Sequence, residues 1–168
     1  MLPVHPRIVH VPVALAALMP LVSAGLLLAW WRGWLPRRAW AVAVLLQLAL
    51  VVGGGAAILT GKRDSRIVET VVDEALVDEH EDAAELLVVA AGAVLVVAAG
   101  AQLVRSEGAA RTVAAVAVAG TLGVLGLAVR AGDLGGRLVY VHGAVHAWSA
   151  RGGAPGTAAP RGEHEEHR

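Results

Sequence analysis

Seven histidines occur in this chain of 168 residues, and five of them flank long apolar runs. Histidine is the commonest metal ligand at neutral pH and is costly inside a lipid bilayer. If the apolar runs cross a membrane as helices, the five side chains meet on one side of it, and such a cluster suggests a bound metal or haem. The five are His5, His10, His80, His142 and His146.

The composition is typical of a membrane protein. Hydrophobic residues make up 57% of the chain and the mean hydropathy is +0.64, whereas apolar residues account for roughly half of a soluble domain. A helix needs about 20 apolar residues to cross a bilayer. Four runs meet this requirement, at residues 8–31, 39–59, 83–104 and 112–129. We therefore predict an all-α integral membrane protein, a four-helix bundle.

The segment between the second and third runs is acidic but patterned. Residues 62–85 contain nine of the fourteen acidic residues. Within them Val68, Val72, Leu76 and His80 recur at every fourth position, which predicts one apolar stripe of an amphipathic helix that leads into the third span. This stripe would turn His80 toward the bundle.

Glycines mark the end of the predicted fold. The glycines among residues 132–136 predict a break in the fourth span. Residues 138–146 would then form a re-entrant turn or a short interfacial helix, with His142 and His146 on one helix face. We assign residues 1–148 to the membrane domain and residues 149–168 to a mobile polar tail.

Charge and cysteine content exclude several classes of function. The net charge is zero, so the chain lacks the basic footprint of a nucleic-acid-binding protein. Cysteine is absent, which removes disulfides, thiolate metal sites and covalent c-type haem. The serines have no nucleophile context, so an electron-transfer or binding subunit is favoured over an enzyme that acts alone.

Basic and aromatic residues suggest an orientation in the membrane. Three arginines among residues 32–38 place this loop in the cytoplasm by the positive-inside rule, with both termini outside a bacterial inner membrane. The opposite side holds more basic residues in total, so the rule is not decisive. Four tryptophans flank the loop and are expected at headgroup level, namely Trp30, Trp31, Trp34 and Trp40.

Two motifs resemble a known family. The opening HPRIVHVP and the closing GGRLVYVHG are similar to the signatures HPxxVHFP and GGxLVYxHG of a bacterial family of predicted four-helix membrane proteins of unknown function. The resemblance spans residues 3–146, with Val11 in place of the usual phenylalanine. It implies the fold but no activity, and it marks four histidines as matching positions: His5, His10, His80 and His142.

Three functions remain open. The first is an electron-transfer subunit that binds one or two b-type haems through these histidines and exchanges electrons with a quinone or a periplasmic redox protein. The second is a copper or zinc site formed by the same four residues, with His146 as a weaker ligand. The third is a structural or assembly subunit that contacts other membrane subunits through its fourth span, where Ala115, Ala119 and Gly123 follow small-xxx-small spacing.

Overall fold

The computed structural model describes residues 8–144, which form four antiparallel helices and contain no strand. Each of the four is long and apolar enough to cross a membrane, so the predicted all-α four-helix membrane fold is confirmed. A 3-10 turn, Arg37–Trp40, leads into the second helix. The helices are α1 (His10–Trp31), α2 (Ala41–Val68), α3 (Glu74–Leu103) and α4 (Glu107–Tyr140).

The four helices form a closed ring. Each helix packs against its neighbours in sequence, and α1 also packs against α4, whereas α1 and α3, like α2 and α4, lie diagonally across the bundle. We call one end the tryptophan end: it holds the α1–α2 connection and the α3–α4 connection. The other is the histidine end, and it holds the start of α1, the α2–α3 turn and the end of α4.

Alanine fills much of the interior of the bundle, in which α3 and α4 form the most extensive pair. Small side chains at an interface allow helix backbones to come together in a membrane, where no hydrophobic force drives the association. On α3, Ala91, Ala98 and Ala101 are buried. Buried positions on α4 follow one another at intervals of three and four residues: Ala110, Ala114, Ala117, Thr121, Val124, Ala128 and Ala131.

Two valines of α3 fit into notches that glycines leave on its neighbours. A Cβ atom at Gly54 of α2 would lie 2.7 Å from Cγ2 of Val88, and a Cβ atom at Gly120 of α4 would lie 2.7 Å from Cγ2 of Val94. Both distances are too short for a real side chain. The glycines therefore fix where α3 sits between α2 and α4.

Three of the helices are longer than a bilayer is thick. Residues 86–103 of α3 carry no charged side chain and are about 27 Å long, close to the roughly 30 Å of a hydrocarbon core. At the histidine end α2, α3 and α4 continue beyond this layer and enclose a second, smaller apolar cluster. It contains Val68, Val72, Leu76, Val77, Leu138 and Ala144.

The acidic segment 62–85 differs from the single amphipathic helix expected. The chain turns between Val68, where α2 ends, and Glu74, where α3 begins. Asp73 caps α3, because its side chain accepts a hydrogen bond of 3.0 Å from the backbone N–H of Ala75. The predicted stripe still faces inward, but two helices contribute to it, with the buried Val72 in the turn between them.

The fourth helix does not break at its glycines, contrary to expectation. It runs without interruption to Tyr140, and within the glycine-rich segment Gly135 packs against His80 of α3. The reversal comes later, at Gly143, whose φ of 69° favours glycine, and there the N–H of Ala144 donates to the carbonyl of Leu138 over 3.0 Å. No separate interfacial helix follows α4 within residues 8–144.

The four tryptophans divide into two pairs. Trp31 and Trp34 are exposed, as expected of headgroup anchors, but Trp30 and Trp40 are buried inside the tryptophan end. Each buried indole N–H finds an acceptor within the bundle: that of Trp40 donates to the carbonyl of Ala98 over 2.9 Å, and that of Trp30 donates to a carboxylate oxygen on α4. These bonds account for their burial.

Candidate functional site at the histidine end

At the histidine end, α1 begins well inside the bundle, whereas α2, α3 and α4 extend further outward. Pro12 of α1 faces Gly53 of α2, since a Cβ atom at Gly53 would lie 3.5 Å from Cδ of Pro12. The neighbouring Gly54 faces Val88 of α3, so the first turn of α1 lies near the level of Val88. His80 lies eight residues closer to the histidine end, about 12 Å further along α3. His10 is exposed and lies near the level of Val88. It belongs to α1, which is diagonally across the bundle from α3.

His80 is held in one orientation by α4. It is partly buried, and its Nδ1 atom lies 3.1 Å from the carbonyl oxygen of Ala131. Since a carbonyl only accepts, Nδ1 carries the hydrogen. In neutral imidazole this tautomer leaves the lone pair on Nε2, which is how many metal-binding histidines are oriented.

Glycine provides the space for this ring. A Cβ atom at Gly135 would lie 2.9 Å from Cε1 and 3.4 Å from Nδ1 of His80, so any side chain there would displace the imidazole. Ala131 and Gly135 are one helical turn apart and together form the seat of His80 on α4. The next residue, Gly136, has no atom within 4 Å of the position its Cβ would take.

His142 lies further out, beside a small cavity between the start of α3 and the end of α4. The cavity has a volume of about 50 Å³, room for a water molecule but not for a macrocycle. Glu79, Arg137 and His142 provide its polar lining. Leu76, Leu134 and Leu138 provide the rest, and His80 does not belong to the lining.

Ion pairs join the helices around His80. Lys62 of α2 pairs with Glu85 of α3 over 2.6 Å, and Arg130 of α4 lies 3.8 Å from Glu79 of α3. All four side chains are about half exposed, so water screens both pairs and each contributes little to stability. One turn before Glu85, Oε1 of Glu81 is buried and has no hydrogen-bond partner among residues 8–144.

The structure places two of the predicted ligands at the outer histidine end but does not bring them to one site. His80 and His142 both lie in the extended portion of the histidine end, but in separate surroundings, and His10 is remote from both. His5 and His146 lie outside the described residues. Within residues 8–144, no three histidines or carboxylates are grouped so that they could hold a metal ion.

The seat of His80 was not predicted from the sequence. Ala131 and Gly135 have no functional side-chain groups, and the glycine-rich sequence predicts a helix break there. The available signal was the spacing of four between two small residues on a helix that continues the buried pattern of α4. That spacing places both residues on the face that meets α3.

Comparisons with known proteins locate this fold in a family. Searches of curated proteins and of solved structures found no match. A family described as "Predicted membrane protein (DUF2231)" matches residues 1–147, a range that includes all four helices and both histidine motifs. The chain therefore belongs to this family of predicted membrane proteins.

Proposed function

We propose that the protein is a membrane electron-transfer subunit that binds b-type haem at its histidine end, with His80 as an axial ligand. The observation that carries the proposal is the hydrogen bond from Nδ1 of His80 to the carbonyl of Ala131. A ligating histidine commonly donates its other ring N–H to such a carbonyl, which fixes the ring and raises its basicity.

The demands of the two metal classes favour haem. A zinc site needs three or four protein ligands, and residues 8–144 contain no such group. A b-type haem needs two axial imidazoles, and the described residues supply one that is already oriented. Cationic side chains for the propionates lie at the same end, on α2 and α4: Lys62, Arg130 and Arg137.

The second axial ligand is part of the proposal. His10 lies deeper in the bundle than His80, and the cavity beside His142 is not lined by His80, so we pair neither of them with His80. We therefore propose His5 as the second ligand, with His146 as the alternative. Bound haem would supply one-electron chemistry, and a quinone or a periplasmic redox protein would be the partner, with both termini outside the inner membrane.

The test is a visible spectrum of the full-length protein, purified in detergent from cells with ample haem supply, before and after dithionite reduction. We expect a sharp reduced α-band and stoichiometric iron, both lost in His80→Ala. His167→Ala, in the polar tail, is the matched control and should retain the band. A featureless wild-type spectrum, or an unchanged band in His80→Ala, would overturn the proposal. Copper or zinc found on the same sample would support the second class instead.

A specific observation also favours an assembly role. Ala115, Ala119 and Gly123 of α4 are all exposed, on the face opposite the buried alanines, and a Cβ atom at Gly123 would have nothing within 4 Å. In a membrane such a face suits close contact with another helix. Gly123→Leu should weaken co-purification of partner subunits but leave the haem spectrum intact, whereas Gly25→Leu, at an open position on α1, should change neither.

A further inference from the structure

The tryptophan end carries an excess of positive charge. Its two connections and the adjoining helix ends hold five arginines and a single carboxylate, Glu107. The arginines are Arg32, Arg37, Arg38, Arg105 and Arg111. The described part of the histidine end has the opposite balance, because acidic residues outnumber basic ones between residues 62 and 85.

Two of the five arginines are used inside the bundle. The guanidinium of Arg37 donates to the carbonyls of Ala101 and Val104, which completes the end of α3, and it stacks 6.0 Å from the ring centre of Trp30. Arg111 stacks on the same ring at 5.7 Å and lies 3.9 Å from the carboxylate of Glu107. These two arginines and the single acid are therefore partnered within the chain.

The other three arginines point outward. Arg32, Arg38 and Arg105 are exposed, and no carboxylate of the described chain lies within ion-pair distance of them. They come from both connections, so they sit at the ends of two different helical hairpins. The carboxylates of residues 8–144 therefore do not neutralise them, and they are available to bind another anion.

Exposed aromatic residues accompany these arginines. Trp31 is 69% exposed and Trp34 is 70% exposed. A turn at Gly33, with φ of 74°, sets their positions, because the N–H of Trp34 donates to the carbonyl of Ala29. The same turn leaves Arg32 5.9 Å from the ring centre of Trp34.

We infer that the tryptophan end binds the phosphate groups of anionic phospholipid through Arg32, Arg38 and Arg105, with Trp31 and Trp34 anchored in the headgroup layer. A guanidinium group can donate two parallel hydrogen bonds to two oxygens of one phosphate, and indole rings partition to the membrane interface. The charge excess selects an anionic over a zwitterionic lipid. This inference involves none of the histidines and is independent of the proposed haem.

The test uses tryptophan fluorescence of the full chain carrying Trp148→Phe, which removes the indole that follows α4. The protein is reconstituted into phosphatidylcholine vesicles that contain equal fractions of brominated phosphatidylglycerol or brominated phosphatidylcholine. A basic residue near an anionic surface contributes about fivefold in binding. We therefore expect brominated phosphatidylglycerol to quench at least about fivefold more effectively than its zwitterionic counterpart.

Variants connect the selectivity to the three arginines. The triple variant R32Q/R38Q/R105Q should lose the preference for phosphatidylglycerol, and the corresponding triple lysine variant should retain part of it. The control R63Q/R66Q, at the exposed histidine end, should retain the full preference. The inference would be overturned if both lipids quenched the wild-type protein equally. It would also be overturned if the triple glutamine variant kept the preference for phosphatidylglycerol. Competition by inorganic phosphate at low ionic strength would identify free phosphate as the ligand and would equally overturn the lipid assignment.

Discussion

His80 of α3 and Gly135 of α4 occupy one space: a Cβ atom on the glycine would lie 2.9 Å from Cε1 of the histidine. The ring cannot withdraw without breaking the bond between its Nδ1 atom and the carbonyl of Ala131. Gly135 is therefore part of the His80 site although it has no side chain, and it joins the outer portions of α3 and α4.

Replacing Gly135 by alanine should destabilise the histidine end. Overpacking and the loss of the His80 bond together should lower the free energy of unfolding by about 1–3 kcal/mol. Thermal unfolding in detergent, followed by circular dichroism, measures the change. Gly136→Ala is the control: its Cβ atom meets nothing within 4 Å, and helix propensity should make it neutral or stabilising by up to about 1 kcal/mol. Equal midpoints for the two variants would contradict the assigned seat.

The contact between Gly54 of α2 and Val88 of α3 predicts that a second substitution can restore stability lost through the first. Gly54→Ala should destabilise the bundle by about 1–3 kcal/mol, because Val88 is β-branched and cannot rotate away cheaply. Gly55→Ala, where nothing lies within 4 Å, should not destabilise it. Adding Val88→Ala to Gly54→Ala should recover part of the loss, and a double-mutant cycle in a denaturing detergent gives the coupling. Purely additive effects would show that the two residues do not meet.

Gln47 should tolerate an apolar replacement. Its side chain is fully buried, and Nε2 donates to the carbonyl of Ala91 over 3.0 Å, but Oε1 has no hydrogen-bond donor among residues 8–144. An interhelical bond in a membrane contributes about 0.6 kcal/mol, whereas an unsatisfied buried acceptor costs about 1–3 kcal/mol. Gln47→Leu is therefore expected to be neutral or slightly stabilising in the same unfolding assay. A large destabilisation would mean that Oε1 has a bound partner, such as a water molecule.

The two classes of tryptophan should respond differently to phenylalanine. Trp40→Phe removes a buried donor to the carbonyl of Ala98 and leaves a void, which should cost about 1–2 kcal/mol. Trp31→Phe changes an exposed residue and should leave the unfolding midpoint within about 0.5 kcal/mol of wild type. The emission of buried Trp40 should also be blue-shifted relative to that of Trp31. If both variants unfold alike, the indole bond does not support the tryptophan end.

Run length and periodicity were sufficient to predict the bundle. Four apolar runs separated by charged segments leave little choice but four spans, and the spacing of Val68, Val72 and Leu76 predicted the inward face at the histidine end. The same regular spacing concealed the turn between Val68 and Glu74, because the period continues across it. Asp73, an acid directly before an acidic first turn, was the local signal of a helix start.

Tertiary register could not be derived from the sequence. Whether His10 and His80 share a level depends on how α1 and α3 are placed lengthwise, and that placement follows from contacts such as Pro12 against Gly53. Likewise, a glycine within a helix suggests a helix break until the neighbouring side chain that occupies its Cβ position is known. Gly135 is interpretable only once His80 is seen against it.

The two contacts between valine and glycine fix the lengthwise position of α3 in the bundle. Val88 and Val94 engage glycines on opposite neighbours, so α3 cannot slide along α2 or α4 without losing at least one fit. His80 is part of the same rigid rod. The height at which its imidazole meets the aqueous boundary is therefore set by apolar contacts buried more than about 10 Å below it, among residues that share none of its chemistry.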